Sequence, residues 1–268
     1  MKLIITTFFF LSISCSAQNN DESEATKKER QDSIINKYVH NCAKNYNFYY
    51  EMKEWQSCLD KGLEKDSTIA YLWQQKAMPY FKIKKYEAGM KYLDKAVEYN
   101  AGRWQPYRGF IKCIFSKTYK DAIKDFEECK TKWGDNYEMD HTYSFYIGLS
   151  YLQLNEFEKA ETYFNNTITE QENKFKEAHY LDLFYYAITK YELQKYEEAI
   201  VIFNKVIEQY SEFSEAIYYK ALCLRKQNKS REAYETLIIE AQEYAKQGYT
   251  INEDNAVYEL YPYQVKWK

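Results

Sequence analysis

The chain of 268 residues carries 37 basic against 40 acidic side chains, a net charge of −3, with no Lys/Arg-rich block. That balance lacks the electrostatic footprint of a nucleic-acid binder, so nucleic acid is excluded as the expected partner. Seven Gly and three Pro beside 46% hydrophobic and 29% charged residues suit a helix-dominated globular protein, not a loop-rich β protein or a disordered chain. Thirty Tyr and fifteen Phe at a mean hydropathy of −0.73 place many aromatics on grooves or surfaces that are partly wet.

The first stretch, "MKLIITTFFFLSISCSAQNN", has one positive residue, Lys2, an apolar run from Leu3 to Ile13 and small residues behind it. It reads as a secretory signal over 1–17, so the protein is expected to be exported to the periplasm or the outer membrane. Two processing routes are open. Small residues at Cys15 and Ala17 suit plain cleavage before Gln18, the favoured route; "SISC" also resembles a bacterial lipobox, in which Cys15 is lipidated, although Ser12 stands where that pattern wants Leu. The apolar run is too short to span a bilayer and no later one approaches ~20 residues, so membrane contact is expected only through such a lipid. Residues 18–33 are polar enough to form a solvated tether.

Beyond the leader five cysteines remain: Cys42, Cys58, Cys113, Cys129 and Cys223. An oxidising compartment permits a pair such as Cys113 with Cys129, but each Cys falls in a helical pattern, and the expectation is small apolar side chains that pack as free thiols. No CxxC occurs and His40, His141 and His179 are scattered, so zinc-like ligand spacing is absent and no metal or cofactor is expected.

From residue 70 the chain repeats itself. Gly89, Ala122, Ala160, Ala199 and Ala233 follow one another at intervals of 33, 38, 39 and 34; Tyr86, Tyr119, Phe157, Tyr196 and Ser230 stand three before them, and Leu93, Phe126, Phe164, Phe203 and Leu237 four after. A second small residue precedes each marker by twelve or thirteen: Ala77, Gly109, Gly148, Ala187 and Ala221. Spacings of three and four lie on one helical face, so each unit predicts two antiparallel helices whose small residues let the axes approach. The longer intervals require insertions, supplied by Lys132–Asp140 and Thr169–Lys176 as loops or longer helices.

This pattern resembles the tetratricopeptide repeat family, whose 34-residue unit reads W-x₂-L-G-x₂-Y, then A-x₃-F, then P. Trp73, Ala77 and Tyr80 match in the first unit, Gly148, Tyr151, Ala160 and Phe164 in the third, and Ala187, Ala199 and Phe203 in the fourth; the closing Pro is missing throughout. The resemblance implies an all-α, right-handed α-solenoid with about five helix pairs over 70–248. Residues 34–69 are read as N-terminal helices with a degenerate capping repeat, and 249–268 as a tail or cap.

The resemblance also implies a non-catalytic scaffold that binds a protein or peptide along the concave wall of first helices. No GxxxxGK[ST], GxGxxG, HExxH or GxSxG is present, which leaves little material for catalysis. Counting three before and one after each first-helix small residue assigns the wall to Phe145, Leu149, Phe184, Ile188, Tyr218 and Leu222, an apolar groove for a peptide segment. The alternative at this stage is that Tyr258, Tyr261, Pro262 and Tyr263 fold back and cover that wall. Two other roles stay open: an outer-membrane assembly lipoprotein anchored at Cys15, and a glycan-binding envelope protein using the Tyr-rich surface.

Overall fold

A computed structural model describes residues 22–267; the leader over 1–17 and Cys15 lie outside the described residues. Five antiparallel helix pairs form the body: α3 (Ala70–Lys82) with α4 (Tyr86–Tyr99), α5 (Ala101–Phe110) with α6 (Tyr119–Trp133), α7 (Tyr143–Gln153) with α8 (Phe157–Phe175), α9 (Tyr180–Glu192) with α10 (Tyr196–Gln209), and α11 (Ser214–Lys226) with α12 (Arg231–Lys246). Before them come α1 (Glu24–Ile35) and α2 (Met52–Leu63). The chain is an all-α solenoid.

The small-residue markers have a physical role that differs in detail from expectation. Each glycine receives an aromatic ring of the partner helix, not another small residue. A Cβ on Gly89 would stand 2.5 Å from the Phe81 ring, one on Gly109 2.9 Å from Phe126, and one on Gly148 3.3 Å from Phe164. Nothing larger than hydrogen fits at Gly89 without displacing Phe81, a side chain itself in close-packed core.

The turn inside every pair is also built alike. Lys84, Lys117, Asn155, Gln194 and Asn228 all adopt left-handed backbone, with φ between 57° and 62°, five residues before each marker. In four of the five the next amide returns to a carbonyl five residues back, as in Lys85 N–H to Tyr80 O (2.8 Å), Glu156 N–H to Tyr151 O (3.0 Å) and Lys195 N–H to Lys190 O (2.9 Å); in the second pair Thr118 N–H reaches six back, to Lys112 O (2.9 Å). The five-residue return is the Schellman closure, which satisfies carbonyls left free at the end of a helix. It closes four of the five turns, and none of the five has a glycine at the left-handed position.

The two insertions take different forms. One becomes a short antiparallel hairpin, β1 (Tyr137–Glu138) and β2 (His141–Thr142), with Glu138 paired to His141. The other lengthens α8 to 19 residues.

The ends depart from the repeat. The span 18–33, expected as a tether, is helical from Glu24: Ser23 accepts from Thr26 N–H as an N-cap, and Arg30 (2.8 Å) and Gln31 (3.0 Å) bind Asp66. No residue of α1 is fully buried; these polar contacts hold it together with Ile34 and Ile35, which pack half-buried against the N-terminal apolar cluster. The cysteine expectation is likewise corrected at this end. Cys42 and Cys58 form a disulfide, whereas Cys113, Cys129 and Cys223 are free and buried. The bridge fastens a separate apolar cluster of Val39, Ala43, Trp55, Leu59 and Leu72, in which the Trp55 indole donates to Gln75 O at 3.1 Å. At the far end Ala233 is exposed, because no further pair packs against α12.

Candidate functional site

The wall expected at Phe145, Leu149, Phe184, Ile188 and Leu222 is not an exposed surface. The first four have no solvent exposure and Leu222 only 8%. Phe145 packs on Phe164 of α8 and on Tyr185, and Phe184 packs on Phe203 of α10 and on Phe213. Those side chains point between helices, into the core shared by successive pairs. Of the six, Tyr218 alone is half-buried, with Trp267 set edge-on 5.3 Å from its ring.

The register is off by one residue. Two positions before each first-helix small residue stand Gln75, Tyr107, Tyr146, Tyr185 and Tyr219, and this column faces inward. Tyr146 donates to Glu138 O at 3.1 Å and Tyr185 to Pro262 O at 3.0 Å, while Tyr219 lies 5.9 Å from Tyr263. Burial pushes the Tyr146 and Tyr185 hydroxyls well above the usual phenol range, and it lifts Tyr107 to about 12. These groups are therefore neutral donors, not anions. The sequence signal that finds them is the tyrosine repeated in four of five aligned units.

The segment after α12 occupies this face. It starts beside α11, where Ser214 N–H donates to Tyr249 O (3.0 Å), and passes the α9 end of β2, where Glu253 faces His141 (3.4 Å). Its far point is the first two pairs. Lys82 reaches the Tyr258 hydroxyl (3.1 Å) and sits 4.4 Å over that ring; Glu259 accepts from the Tyr86 hydroxyl and pairs with Lys117 (3.1 Å) and Lys84 (3.5 Å). It then turns back, and Tyr263 binds Glu192 (2.9 Å) on α9 while Val265 N–H reaches Glu215 (3.4 Å) on α11. Residues 249–267 thus run out and back across the solenoid as an irregular loop. Ile251 and Tyr261 join the main core.

Charge is placed to hold this loop. Lys84 and Lys117 occupy equivalent left-handed positions of the first two pairs and converge on Glu259. Although burial raises the Glu259 carboxyl, Tyr86 and Lys117 outweigh it and hold it below its ordinary value. Glu215 is the opposite case: burial pushes it up to about 7 against the hydrogen bonds it accepts from Ser214 and from backbone amides. At the mid-point, burial disfavours the charged form of His141, but Asp182 at 3.1 Å and Glu253 outweigh it and lift the imidazole to about 9. Asp182 falls to about 2: burial pushes it up, and His141 with His179 more than reverses this.

Tetratricopeptide repeat family models match residues 70–102 and 183–212, over the first and fourth pairs, so the chain carries tetratricopeptide repeats. Solved structures agree on the fold. A tetratricopeptide repeat protein from Parabacteroides merdae superposes with a TM-score of 0.62 at 14% identity, covering 82% of this chain and 80% of that one. PilW, described as a widely conserved type IV pilus biogenesis factor, gives 0.58 at 14% identity over 81% of this chain and 92% of its own. YrrB, described as a tetratricopeptide repeat protein with an unusual peptide-binding site, gives 0.50 at 18% identity over 70% and 92%. No curated protein matches the chain. The repeats and these neighbours support a protein–protein interaction scaffold.

Proposed function

We propose that this is an exported, non-catalytic scaffold of the cell envelope whose inner groove grips an extended aromatic segment, and that a partner gains access by displacing residues 249–267. The observation that carries the reading is the seating of that segment. Its side chains and backbone meet donors from α3 and α4, Lys82 and Tyr86, and then carboxylate acceptors from α9 and α11, Glu192 and Glu215, the way a peptide ligand is read by a groove. The Cys42–Cys58 disulfide supports an oxidising compartment, and the peptide-binding site named for YrrB supports the use of this fold for peptides. Lipidation at Cys15 is the alternative route to the envelope, tested by fatty-acid labelling that is lost on Cys15→Ser.

A chain ending at Gly248, its helical circular dichroism retained, should bind a labelled peptide of residues 249–267, while the full chain should bind it at least about tenfold more weakly because its groove is filled. A folded truncated chain that ignores the peptide would remove the groove as the binding surface.

A further inference from the structure

One cluster is not accounted for by the seating of the loop. His141 on β2 and His179 and Asp182 at the start of α9 bring one ligand atom each to within 4.8 Å of one another. His141 Nδ1 is 3.1 Å from Asp182 Oδ2 and His179 Nδ1 is 3.5 Å from the same oxygen. His141 and Asp182 are each 1% exposed, whereas His179 is at the surface.

An ion pair between His141 and Asp182 explains two of the three residues and leaves His179 unexplained. The Leu181 amide donates to His179 Nδ1 at 3.4 Å, so that nitrogen presents a lone pair. It nevertheless faces the Asp182 carboxylate, itself an acceptor only. Such an approach requires positive charge at the pair, supplied either by a proton on the His179 ring or by a metal ion held between the two groups. Zinc with nitrogen and oxygen ligands at about 2.1 Å sets tetrahedral neighbours about 3.4 Å apart, close to both separations.

The surroundings have the organisation of a metal site. Gln171 donates to the other Asp182 oxygen (3.0 Å) and its carbonyl oxygen accepts from the His179 amide (2.9 Å). Glu253 lies 3.4 Å from His141 Nε2, the carboxylate–histidine arrangement that orients a ligating imidazole. A recess of about 410 Å³ opens beside His179, with Asp140 and Glu177 on its walls. It brings solvent to the His179 and Gln171 edge of the cluster.

We propose that His141, His179 and Asp182 bind one divalent transition-metal ion of the zinc class, with Gln171 and Glu253 holding the ligands in orientation. The ion would join the third pair to the fourth, and through Glu253 it would fasten the loop that fills the groove. This site stands independently of what the groove binds.

Zn²⁺ titration of the full mature chain, followed by elemental analysis after dialysis, tests it. His179→Ser removes the imidazole while keeping a residue favoured at a helix N-cap. The expected result is one zinc per wild-type chain, at least tenfold weaker binding in His179→Ser, and a tenfold or greater weakening in Glu253→Gln, with the metal-free thermal midpoints of both variants near wild type. A wild-type chain that retains no zinc, or a folded His179→Ser that binds it equally well, overturns the site.

Discussion

α12 and the segment that follows it show how little burial depends on regular structure. The helix has 16 residues, good hydrogen bonding throughout and one buried side chain, Ala241. The next 19 residues have no helix or strand, yet they bury Ile251, Glu259 and Tyr261 to within 8% of full burial. The helix terminates a stack, so its outer face meets no neighbour. The loop crosses a concave face and is enclosed by several first helices at once. In a solenoid, position relative to the stack decides which residues hold the fold.

The strongest way to break that comparison is at Tyr261. Truncating a buried aromatic to alanine removes its contacts and leaves a cavity, costing about 3–5 kcal/mol. Tyr261→Ala should lower the stability of the whole protein by about 3 kcal/mol in equilibrium urea unfolding. A loss below about 1 kcal/mol would mean that the loop is an appendage and not part of the core.

Acidity gives a second test. Glu215 has a folded pKa of about 7 against an ordinary 4.5, so its protonated form is favoured in the folded state. That contribution is fully present below pH 4.5 and is lost as pH rises through 7, a decrease of about 2–3 kcal/mol in this window. Burial moves Glu138 in the same direction. His141 is lost in a higher window, from 6.5 to about 9, and Asp182 only as pH falls from 3.8 towards 2. The urea midpoint of wild type should therefore fall between pH 5 and 7, and Glu215→Gln should remove most of that slope while retaining a partner for the Val265 amide.

Smaller again is the anchor at the loop's far point. Glu259→Gln keeps an acceptor for the Tyr86 hydroxyl but loses the charge opposite Lys117 and Lys84, whose side chains are 43% and 60% exposed. Such partly solvated pairs contribute little each, so the expected loss is about 1 kcal/mol, diminishing in high salt. A variant equal to wild type in low salt would show that the convergence of these lysines does not hold the loop.

The repeats were legible because spacing on a helix is a local matter. Gly89, Gly109 and Gly148 announce a close approach whatever the partner turns out to be. The groove wall was not legible to the same precision. Adjacent residues on a first helix differ by about 100° in direction, so an error of one position exchanged Phe184, a core residue, for Tyr185, a groove residue. The tyrosine column at 107, 146, 185 and 219 carried the missing information, since a buried residue with a hydroxyl needs a partner. The Cys42–Cys58 bridge was illegible for another reason: it joins the turn after α1 to α2, both outside the repeat. The His141–His179–Asp182 cluster depends on a hairpin whose fold no periodicity encodes.

The smallest effect belongs to the other side of the opening comparison. Ile239 on α12 is 61% exposed, and an exposed apolar side chain gains little from folding, since most of its surface meets water in both states. Ile239→Ser should change stability by no more than about 0.5 kcal/mol, despite replacing a large aliphatic residue within a regular helix. Isoleucine and serine have similar helix propensities, so that factor adds little. If the substitution instead costs 2 kcal/mol or more, as measured by the urea midpoint over a range of protein concentrations, the face of α12 is covered in solution. A concentration-dependent midpoint in wild type that becomes independent in Ile239→Ser would identify the cover as a second copy of this chain, and α12 would then be an internal element of a longer stack.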